Sequence, residues 1–426
     1  MNVHDSELIA ELMVKKGYRL TANADEADVV IVNTCSIREK AAQKACSQLG
    51  RFREVKKKRR DMVLAVGGCL AQQWGKRFFD KIPELNIVFG THQIHRIPDM
   101  IASVLAGCGS RAAAAFTKHV RSLDLFPLPV EGQVGAYVTI MQGCNNFCSY
   151  CVVPYVRGRE ESRPLKDVVQ EVLVLAQHGI KEVILLGQNV NSYGQTLGNS
   201  TNFPSLLRAI NRIPGIGRIR FTTSHPKDLS TDLIGCFGDL ESLCEHIHLP
   251  VQSGSDVILE RMNRGYTAAD YMGKIELLRK ACPGIAISSD IIVGFPGESE
   301  GDFQATIGLM EKIKFDNVFS FKYSKREGTE AADLDNALND SVKELRLKTL
   351  QELQDRHTWE RNKAAVGSEV DVLVEGFSRN SRSDVTGRTR SNKIVNLKGD
   401  ANLIGKNVTV RVLKAHRHSL RGDVVT

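Results

Sequence analysis

Hydrophobic and polar positions alternate along the first 105 residues in blocks that predict a small α/β sheet. Strands are predicted at residues 29–32, 62–66 and 86–89, and helices at residues 5–17, 37–49, from 71 onward and at 97–105. The first helix would begin at an N-cap, Asp5, and stop at Gly17, with an apolar face of Leu8, Ile9, Leu12 and Met13. Because apolar strands alternate with helices, we expect the strands to run parallel.

A second, larger block of strand–helix units follows a predicted linker at residues 106–134, which contains Gly107, Gly109, Pro127 and Pro129. Its strands are predicted at residues 136–141, 182–186, 218–222, 246–250, 286–293 and 317–321. Its helices include residues 165–178, 205–213, 267–281 and 299–313. Six such units predict a partial (β/α)6 barrel rather than a closed barrel of eight.

The pattern changes again after a long charged helix predicted at residues 341–363. Short strands separated by turns are predicted at residues 370–375, 384–389, 393–397 and 407–415. This arrangement is typical of a small antiparallel β-barrel of the oligonucleotide-binding type. The fold class is therefore α/β with a C-terminal β-barrel, and the predicted domains are residues 1–115, 130–365 and 366–426.

The charge of the chain is concentrated at its C-terminal end. Residues 376–426 hold eleven Lys and Arg against three Asp and Glu, and this excess equals the net charge of +8 for all 426 residues. It indicates a partner that carries phosphates, although a solvated basic surface is the alternative. The chain contains no long apolar run and no signal peptide, so we expect a cytoplasmic protein without a membrane span.

Three closely spaced cysteines dominate the candidate chemistry. Cys144, Cys148 and Cys151 are separated by three and then two residues, so one loop can present three thiolates around one centre. An iron–sulfur cube normally takes four thiolates, so three leave one iron open. A zinc site would need a fourth Cys or His in a nearby pair, and none follows at that spacing.

Polar residues and two further cysteines follow the predicted strands. Cys35 and Cys69 each come just after a strand of the first sheet, at the edge where ligands bind in such folds. In the barrel, polar strand ends converging on one rim indicate a pocket, and they include Gln188, Ser224, Gln252 and Asp290. His225 is a candidate base, but a structural histidine is equally compatible with its position before a proline.

Several of these segments resemble known families. The spacing of Cys144, Cys148 and Cys151, with Tyr150 before the last, resembles the cluster loop of radical S-adenosylmethionine (SAM) enzymes. Residues 185–191, 222–226 and 248–255 resemble MiaB-type tRNA methylthiotransferases, and the likeness extends over essentially the whole chain. Residues 387–393 resemble the TRAM domain of that family.

The resemblance implies both a fold and a set of ligands. It implies a flavodoxin-like N-terminal domain, a radical SAM barrel and a TRAM barrel. Cys144, Cys148 and Cys151 would hold a 4Fe-4S cluster whose open iron binds SAM. A second, auxiliary 4Fe-4S cluster would be held by Cys35 and Cys69 with a third cysteine. SAM or substrate contacts are expected from Tyr150, Gln188, Ser224, Gln252 and Asp290, and RNA phosphate contacts from Arg388, Arg390 and Lys393.

The N-terminus departs from the family pattern. MiaB-type proteins begin with a strand that runs into Gly-Cys-Gln-Met-Asn-Val, whereas this sequence begins at the methionine of that motif. We therefore expect a misassigned start, with the third ligand and a strand encoded upstream. The alternative is that Cys46 replaces the third ligand. The remaining cysteines are expected to be core or surface thiols: Cys108, Cys236, Cys244 and Cys282.

The reaction implied by the resemblance is addition of a methylthio group to carbon 2 of an isopentenylated adenosine beside the anticodon of tRNA. Expected partners are the tRNA anticodon loop, a reductant such as flavodoxin or ferredoxin, and a sulfur donor of unknown identity, with the protein a monomer. The alternatives are a related methylthiotransferase acting on threonylcarbamoyl-adenosine or on a ribosomal protein, and an RNA-binding radical SAM relic without sulfur insertion.

Overall fold

A computed structural model of the chain describes residues 1–36, 39–116, 129–198, 200–335, 337–379, 381 and 383–425, without the side chains of 39–41. The predicted start of a helix at residue 37 and the middle of the predicted linker, with Pro127, lie outside the described residues.

The N-terminal region is a parallel sheet with helices on both faces, as the alternation predicts. Its strands pair in the order β1 (Val29–Thr34), β2 (Val63–Gly68), β3 (Ile87–Phe89) and β4 (Arg111–Ala113). The helices are α1 (Asn2–Lys15), α2 (Glu39–Lys58), α3 (Cys69–Trp74), α4 (Arg77–Lys81) and α5 (Ile97–Leu105). The two central strands, β2 and β3, are buried along their whole length because helices cover both faces, whereas the edge strands β1 and β4 are only partly buried.

Two predictions for this region are wrong. Asp5 is not an N-cap: α1 begins at Asn2, and Asp5 lies inside the helix, buried and ion-paired with Arg157. Part of the predicted linker is the strand β4, which pairs with β3. The apolar pattern does not reveal β4, because the strand is only three residues long and begins with an arginine.

The central region is a partial barrel of parallel strands covered by helices. β5 (Gly135–Thr139), β8 (Glu182–Leu186) and β9 (Arg218–Thr222) form one set, and β10 (His246–His248), β11 (Ala286–Val293) and β12 (Asn317–Lys322) form the other. A parallel bridge from Ile219 to Leu243 joins the two sets. A short ribbon of β6 (Met141–Gln142) and β7 (Glu161–Ser162) flanks the cysteine loop.

The helices of this region are α6 (Val153–Arg157), α7 (Leu165–Gln177), α8 (Phe203–Asn211), α9 (Thr231–Asp239), α10 (Asp256–Arg261), α11 (Ala268–Ala281) and α12 (Glu300–Ile313). Five of them, α7, α8, α9, α11 and α12, bury apolar faces against the outside of the strands, whereas α6 packs on Cys69 and α10 packs on Phe295. Thr267 and Ser299 cap α11 and α12 in capping boxes, so those two predicted helices begin one residue later than expected.

A long helix leads into a closed C-terminal barrel. Helix α13 (Asp340–Ala364) packs on β12 and places Leu350 and Leu353 in the central core. The barrel order is β13 (Glu369–Phe377), β14 (Asp384–Thr389), β15 (Ile394–Lys398), β17 (Leu420–Val424) and β16 (Asn407–Ala415). β17 is not predicted from the sequence; it closes the barrel by pairing parallel to β15.

Both outer regions contact the central barrel. On the N-terminal side, the Oγ1 of Thr91 donates to the Val156 carbonyl oxygen at 2.8 Å, and a ring nitrogen of His4 bonds the Thr139 hydroxyl at 3.0 Å. The carboxyl edge of the N-terminal sheet therefore faces the cysteine loop and α6. Along the part of the chain that the structure describes, no helix is long and apolar enough to cross a membrane.

Candidate functional site

The cysteine loop lies at the carboxyl end of the barrel strands, between β6 and α6. Gly143 precedes Cys144 with φ +74°, and a Cβ there would lie 2.0 Å from the Arg159 carbonyl oxygen. Only glycine fits this close approach of two backbones. Burial raises the pKa of Cys144 to about 11 and that of Cys151 to about 12, so both stay protonated at neutral pH unless a cation ionises them.

Two nitrogen donors surround the sulfur of Cys148. The buried Arg264 guanidinium donates to it at 3.3 Å and to the Pro250 carbonyl oxygen at 2.7 Å. His225 lies 3.9 Å from the same sulfur through Nε2. Because Nδ1 of His225 accepts from the Lys227 backbone N–H, Nε2 carries the proton and points it at the sulfur. Burial lowers the pKa of His225 to about 2, so its ring is a neutral donor rather than a base.

The polar strand ends carry the clearest sign of a ligand. Oxygen atoms of Gln188, Ser224, Gln252 and Asp290 are buried without a hydrogen-bond partner among the described residues. Buried polar atoms are normally paired, and leaving one unpaired costs about 1–3 kcal/mol. Acceptor atoms of this kind fit a ligand with ammonium and hydroxyl donors, such as SAM. Tyr150 packs on a cluster that includes Met262 and Phe295, and its hydroxyl lies 3.4 Å from an Arg264 nitrogen.

Backbone strain marks the same rim. Thr223, the residue after β9, has φ +72°, and Gln252, four residues after β10, has φ +75°. Neither is a glycine, so each conformation costs free energy that the surrounding structure must offset. Strained residues of this kind concentrate at ligand sites. The strain and the unpaired oxygens therefore identify one rim independently.

Cys35 and Cys69 lie side by side at the carboxyl edge of the N-terminal sheet. Thr34 of β1 is paired with Gly68 of β2, and Cys35 and Cys69 are the residues that follow these two strand ends. Cys69 is buried and packs on Val152 and Val156, next to the cysteine loop. Cys46 instead packs from α2 on the apolar core of the sheet, and burial raises the pKa of its thiol.

The Arg157 side chain connects the two cysteine sites. It ends α6, which starts just after Cys151, and its Nε donates to the Cys69 sulfur at 3.3 Å. The same guanidinium is ion-paired with Asp5, and both side chains are almost fully buried. Nothing in the sequence indicates this link, because Asp5, Cys69 and Arg157 are far apart along the chain.

The four remaining cysteines are core or surface thiols, as predicted. Within the described ranges, no three His, Cys, Asp or Glu side chains are arranged around one metal ion. In a cube each cysteine binds a different iron, so its ligands need not meet at one point. Cys236, Cys244 and Cys282 are buried thiols, and Cys108 is exposed.

The side chains predicted to contact RNA lie near the amino-terminal ends of the central barrel strands, which we call the floor of the partial barrel. Arg390 is ion-paired with Glu245 at 2.8 Å and donates to the carbonyl oxygens of Glu241 and Leu243. Lys393 contacts Asn362 at 2.9 Å, and Arg388 pairs with Glu375 at 3.1 Å. All three cations are matched by protein partners: Arg390 and Lys393 join the C-terminal barrel to the central region, whereas Arg388 pairs within the C-terminal barrel.

Glu160 is a site residue that the sequence does not single out. It is buried beside the cysteine loop, where its Oε2 accepts from the Ser192 hydroxyl at 2.7 Å and its Oε1 has no partner in the described chain. Burial raises its pKa to about 7. A carboxylate so placed suits the ammonium group of a ligand. Its position, one residue after Arg159 in a charged run, resembles an ordinary solvated loop.

Comparison with family models divides the chain as the fold does. Residues 138–310 match the Radical SAM superfamily, residues 1–90 match Uncharacterized protein family UPF0004, and residues 363–425 match the TRAM domain. These matches agree with the central partial barrel, the N-terminal sheet and the C-terminal closed barrel, respectively.

Solved structures show the same fold with low identity. The methyltransferase TsrM from Kitasatospora setae, described with cobalamin and a 4Fe-4S cluster bound, aligns with a TM-score of 0.58 at 15% identity. The alignment covers 77% of this chain and 74% of that one. OxsB, a cobalamin-dependent SAM radical enzyme, aligns with a TM-score of 0.53 at 11% identity over 83% and 53% of the two chains.

Curated relatives are much more similar. A tRNA-2-methylthio-N(6)-dimethylallyladenosine synthase from Syntrophus aciditrophicus is 57% identical over 100% of this chain and 92% of its own length. The protein of the same name from Geobacter sulfurreducens is 50% identical over 100% and 95%. Identity at this level along the full chain shows the family. The chain therefore belongs to the tRNA-2-methylthio-N(6)-dimethylallyladenosine synthase family of radical SAM proteins.

Proposed function

We propose that this protein adds a methylthio group to carbon 2 of N6-isopentenyladenosine next to the anticodon of tRNA. The 57% identity to a synthase of that name carries the proposal, and the radical SAM and TRAM regions agree with it. The carbon–hydrogen bond at that position is not acidic, so a proton-transfer route cannot open it. The anticodon loop is single-stranded, which lets its bases be splayed out for the enzyme.

The three-cysteine loop would hold the 4Fe-4S cluster of the superfamily. When bound, this cluster supplies the electron that cleaves SAM and so provides a group able to remove a hydrogen atom. The protein would orient SAM through Gln188, Ser224, Gln252 and Asp290, with Glu160 accepting from its ammonium group. Arg264 and His225 would donate hydrogen bonds to the sulfur of Cys148, and such bonds tune the reduction potential of a cluster.

An auxiliary 4Fe-4S cluster at Cys35 and Cys69, with a third cysteine, is the finer part of the proposal. The adjacent positions of the two thiols after β1 and β2 support it. The site would bring sulfur to the substrate base, while a second SAM provides the methyl group. The proposed units are residues 1–115 for this site, 130–365 for SAM chemistry and 366–426 for RNA binding, in a monomer reduced by flavodoxin or ferredoxin.

Nucleoside analysis of tRNA tests the function. A strain that lacks the gene should lose 2-methylthio-N6-isopentenyladenosine and accumulate the unmodified N6-isopentenyl nucleoside. Expression of the wild-type gene should restore the product, and the Cys144→Ala variant should not. Unchanged methylthio nucleoside in the deletion strain would refute the proposal, and loss of the threonylcarbamoyl counterpart would indicate the related enzyme instead.

Iron analysis separates the two cluster sites. Anaerobically reconstituted protein should hold roughly eight irons per chain if it carries two cubes, and about four if it carries one. Cys69→Ser should then lose about four irons and still form 5′-deoxyadenosine. Cys148→Ser should also lose about four irons, but it should form no 5′-deoxyadenosine. Wild-type protein with only four irons would remove the auxiliary cluster from the proposal.

A further inference from the structure

A cleft of about 390 Å³ lies beside the last strand of the partial barrel, away from the cysteine loop. Its walls are β12, one face of α13 and a loop of the C-terminal barrel. In the described chain β12 pairs with β11 alone, so the cleft lies along the open edge of the barrel. Its volume falls within the range of pockets that bind small ligands.

Gln354 gives the cleft a buried hydrogen-bond acceptor. Its Nε2 donates to the Phe315 carbonyl oxygen at 3.0 Å, and a carbonyl can only accept, so the amide orientation is determined. Its Oε1 is left buried without a partner in the part of the chain that the structure describes, and the side chain is 5% exposed. Such an atom needs a donor from a ligand.

Phe319 lies between the cleft and the interior of the barrel. It lines the cleft and is 43% exposed, and its ring also meets His248 edge to face at 5.9 Å. His248 in turn is 3.5 Å from Asp290, whose Oδ1 is one of the unpaired oxygens at the rim. A group stacked on Phe319 would therefore be next to a base held inside the barrel.

Two side chains of the C-terminal barrel complete the cleft. Arg417 and His418, both exposed, line it from the loop that joins β16 to β17. Arg417 is ion-paired with Asp355 of α13, which also lines the cleft. An aromatic ring and an amide acceptor are groups by which proteins bind an unstacked base.

We propose that this cleft binds a second nucleotide of the RNA substrate, one that lies next to the base entering the barrel. Its base would stack on Phe319 and donate an N–H to Oε1 of Gln354. This inference rests on the proposed function, because it takes its RNA from there. It also gives the enzyme a means to recognise the bases around its target.

A double-mutant cycle between protein and RNA tests the cleft. The probe is an anticodon stem-loop that contains N6-isopentenyladenosine, with each other loop base removed in turn as an abasic nucleotide. Wild-type protein should lose about tenfold in affinity when one loop base is removed, because stacking of that base is lost. Phe319→Leu should bind the intact RNA about tenfold more weakly than wild type does. Removal of the same loop base should then cause no further loss of affinity.

Matched variants and ligands separate the outcomes. Gln354→Leu should behave like Phe319→Leu, whereas Gln304→Leu, at an exposed glutamine of α12, should behave like wild type. Iron content and melting temperature show whether each variant is folded. If the loss of affinity from each protein variant adds to the loss from each removed base at every loop position, the cleft does not bind a loop base, but the proposed function stands. AMP binding as tight as that of the stem-loop would overturn the cleft proposal in the same way. Absence of any RNA binding by the wild-type protein would overturn the proposed function as well.

Discussion

At the scale of single residues, a glycine with positive φ precedes a candidate ligand in both cysteine sites. Gly143 comes before Cys144, and Gly68, with φ +90°, comes before Cys69. A Cβ at Gly68 would lie 2.3 Å from the Thr34 carbonyl oxygen. In each case the backbone must turn sharply beside another strand or loop, and only glycine permits it. The glycines thus aim the thiols without taking part in chemistry.

Arg157 is expected to stabilise the junction between the two cysteine sites. Arg157→Gln leaves Asp5 buried without its cation, and loss of one member of a buried pair costs about 3–5 kcal/mol. The free energy of unfolding of the cluster-free protein, measured with urea, should fall by that amount. Arg77→Gln breaks the exposed pair with Glu327, which also joins the first two regions, and should cost less than about 1 kcal/mol. Equal losses in the two variants would contradict the prediction.

His246 should make stability depend on pH. Burial lowers its pKa to about 3 from a model-peptide value of 6.5, so the folded protein keeps it neutral while the unfolded chain protonates it. The free energy of unfolding therefore falls as pH drops from about 6.5 toward 3. Between pH 7 and pH 5.5, wild-type protein should lose about 1 kcal/mol more than His246→Gln in urea unfolding. Identical pH dependence in the two proteins would show that the ring is protonated in the fold.

At the scale of elements, the turn between β14 and β15 attaches the C-terminal barrel to the central one. Arg218 and Arg220 of β9 donate to the carbonyl oxygens of residues 388–390. In the opposite direction, Arg390 of the turn is ion-paired with Glu245 of the central region. Arg220 is also ion-paired with Glu182 at 2.7 Å, inside the floor of the partial barrel. The segment that resembles a TRAM signature is thus a domain contact.

Arg390→Met should loosen this attachment. We expect faster cleavage by trypsin after Lys363, at the end of α13, because the C-terminal barrel would separate from the central barrel more often. Arg411→Met, which breaks an exposed pair with Glu369 on the outer side of the same barrel, should leave the cleavage rate unchanged. Arg390→Met should also leave the salt dependence of tRNA binding intact. A flatter salt dependence would instead identify Arg390 as a phosphate contact.

At the scale of the whole molecule, the basic excess is on one end and the cysteine sites are on the other. The exposed lysines of the C-terminal barrel are Lys398, Lys406 and Lys414. If they contact tRNA phosphates, log affinity should fall linearly with log salt concentration, and each lysine changed to glutamine should reduce the slope by about 0.7. Filter binding at several salt concentrations measures this. Slopes equal to that of the wild type would place the RNA on another face.

Sequence reasoning succeeded where the signal was local. The barrel strands at 182–186, 218–222 and 286–293 agree with β8, β9 and β11, because apolar runs between turns are a short-range property. It missed β4 and β17, because their own residues carry no clear strand pattern and these strands form by pairing with β3 and β15. It also misplaced Asp5, because an acidic residue near a helix start resembles an N-cap until its buried partner is known.

The sequence by itself determined the order of the three regions, the ligand spacing of the cysteine loop and the excess of positive charge, since each of these is written in neighbouring residues. Only the tertiary structure decided which cations are matched by carboxylates, which oxygens are buried without partners, and that Arg157 joins Asp5 to Cys69. These depend on burial or on contacts between distant residues, such as Arg157 with Asp5 and Cys69, which lie 152 and 88 positions away, and burial exists only once the chain has folded.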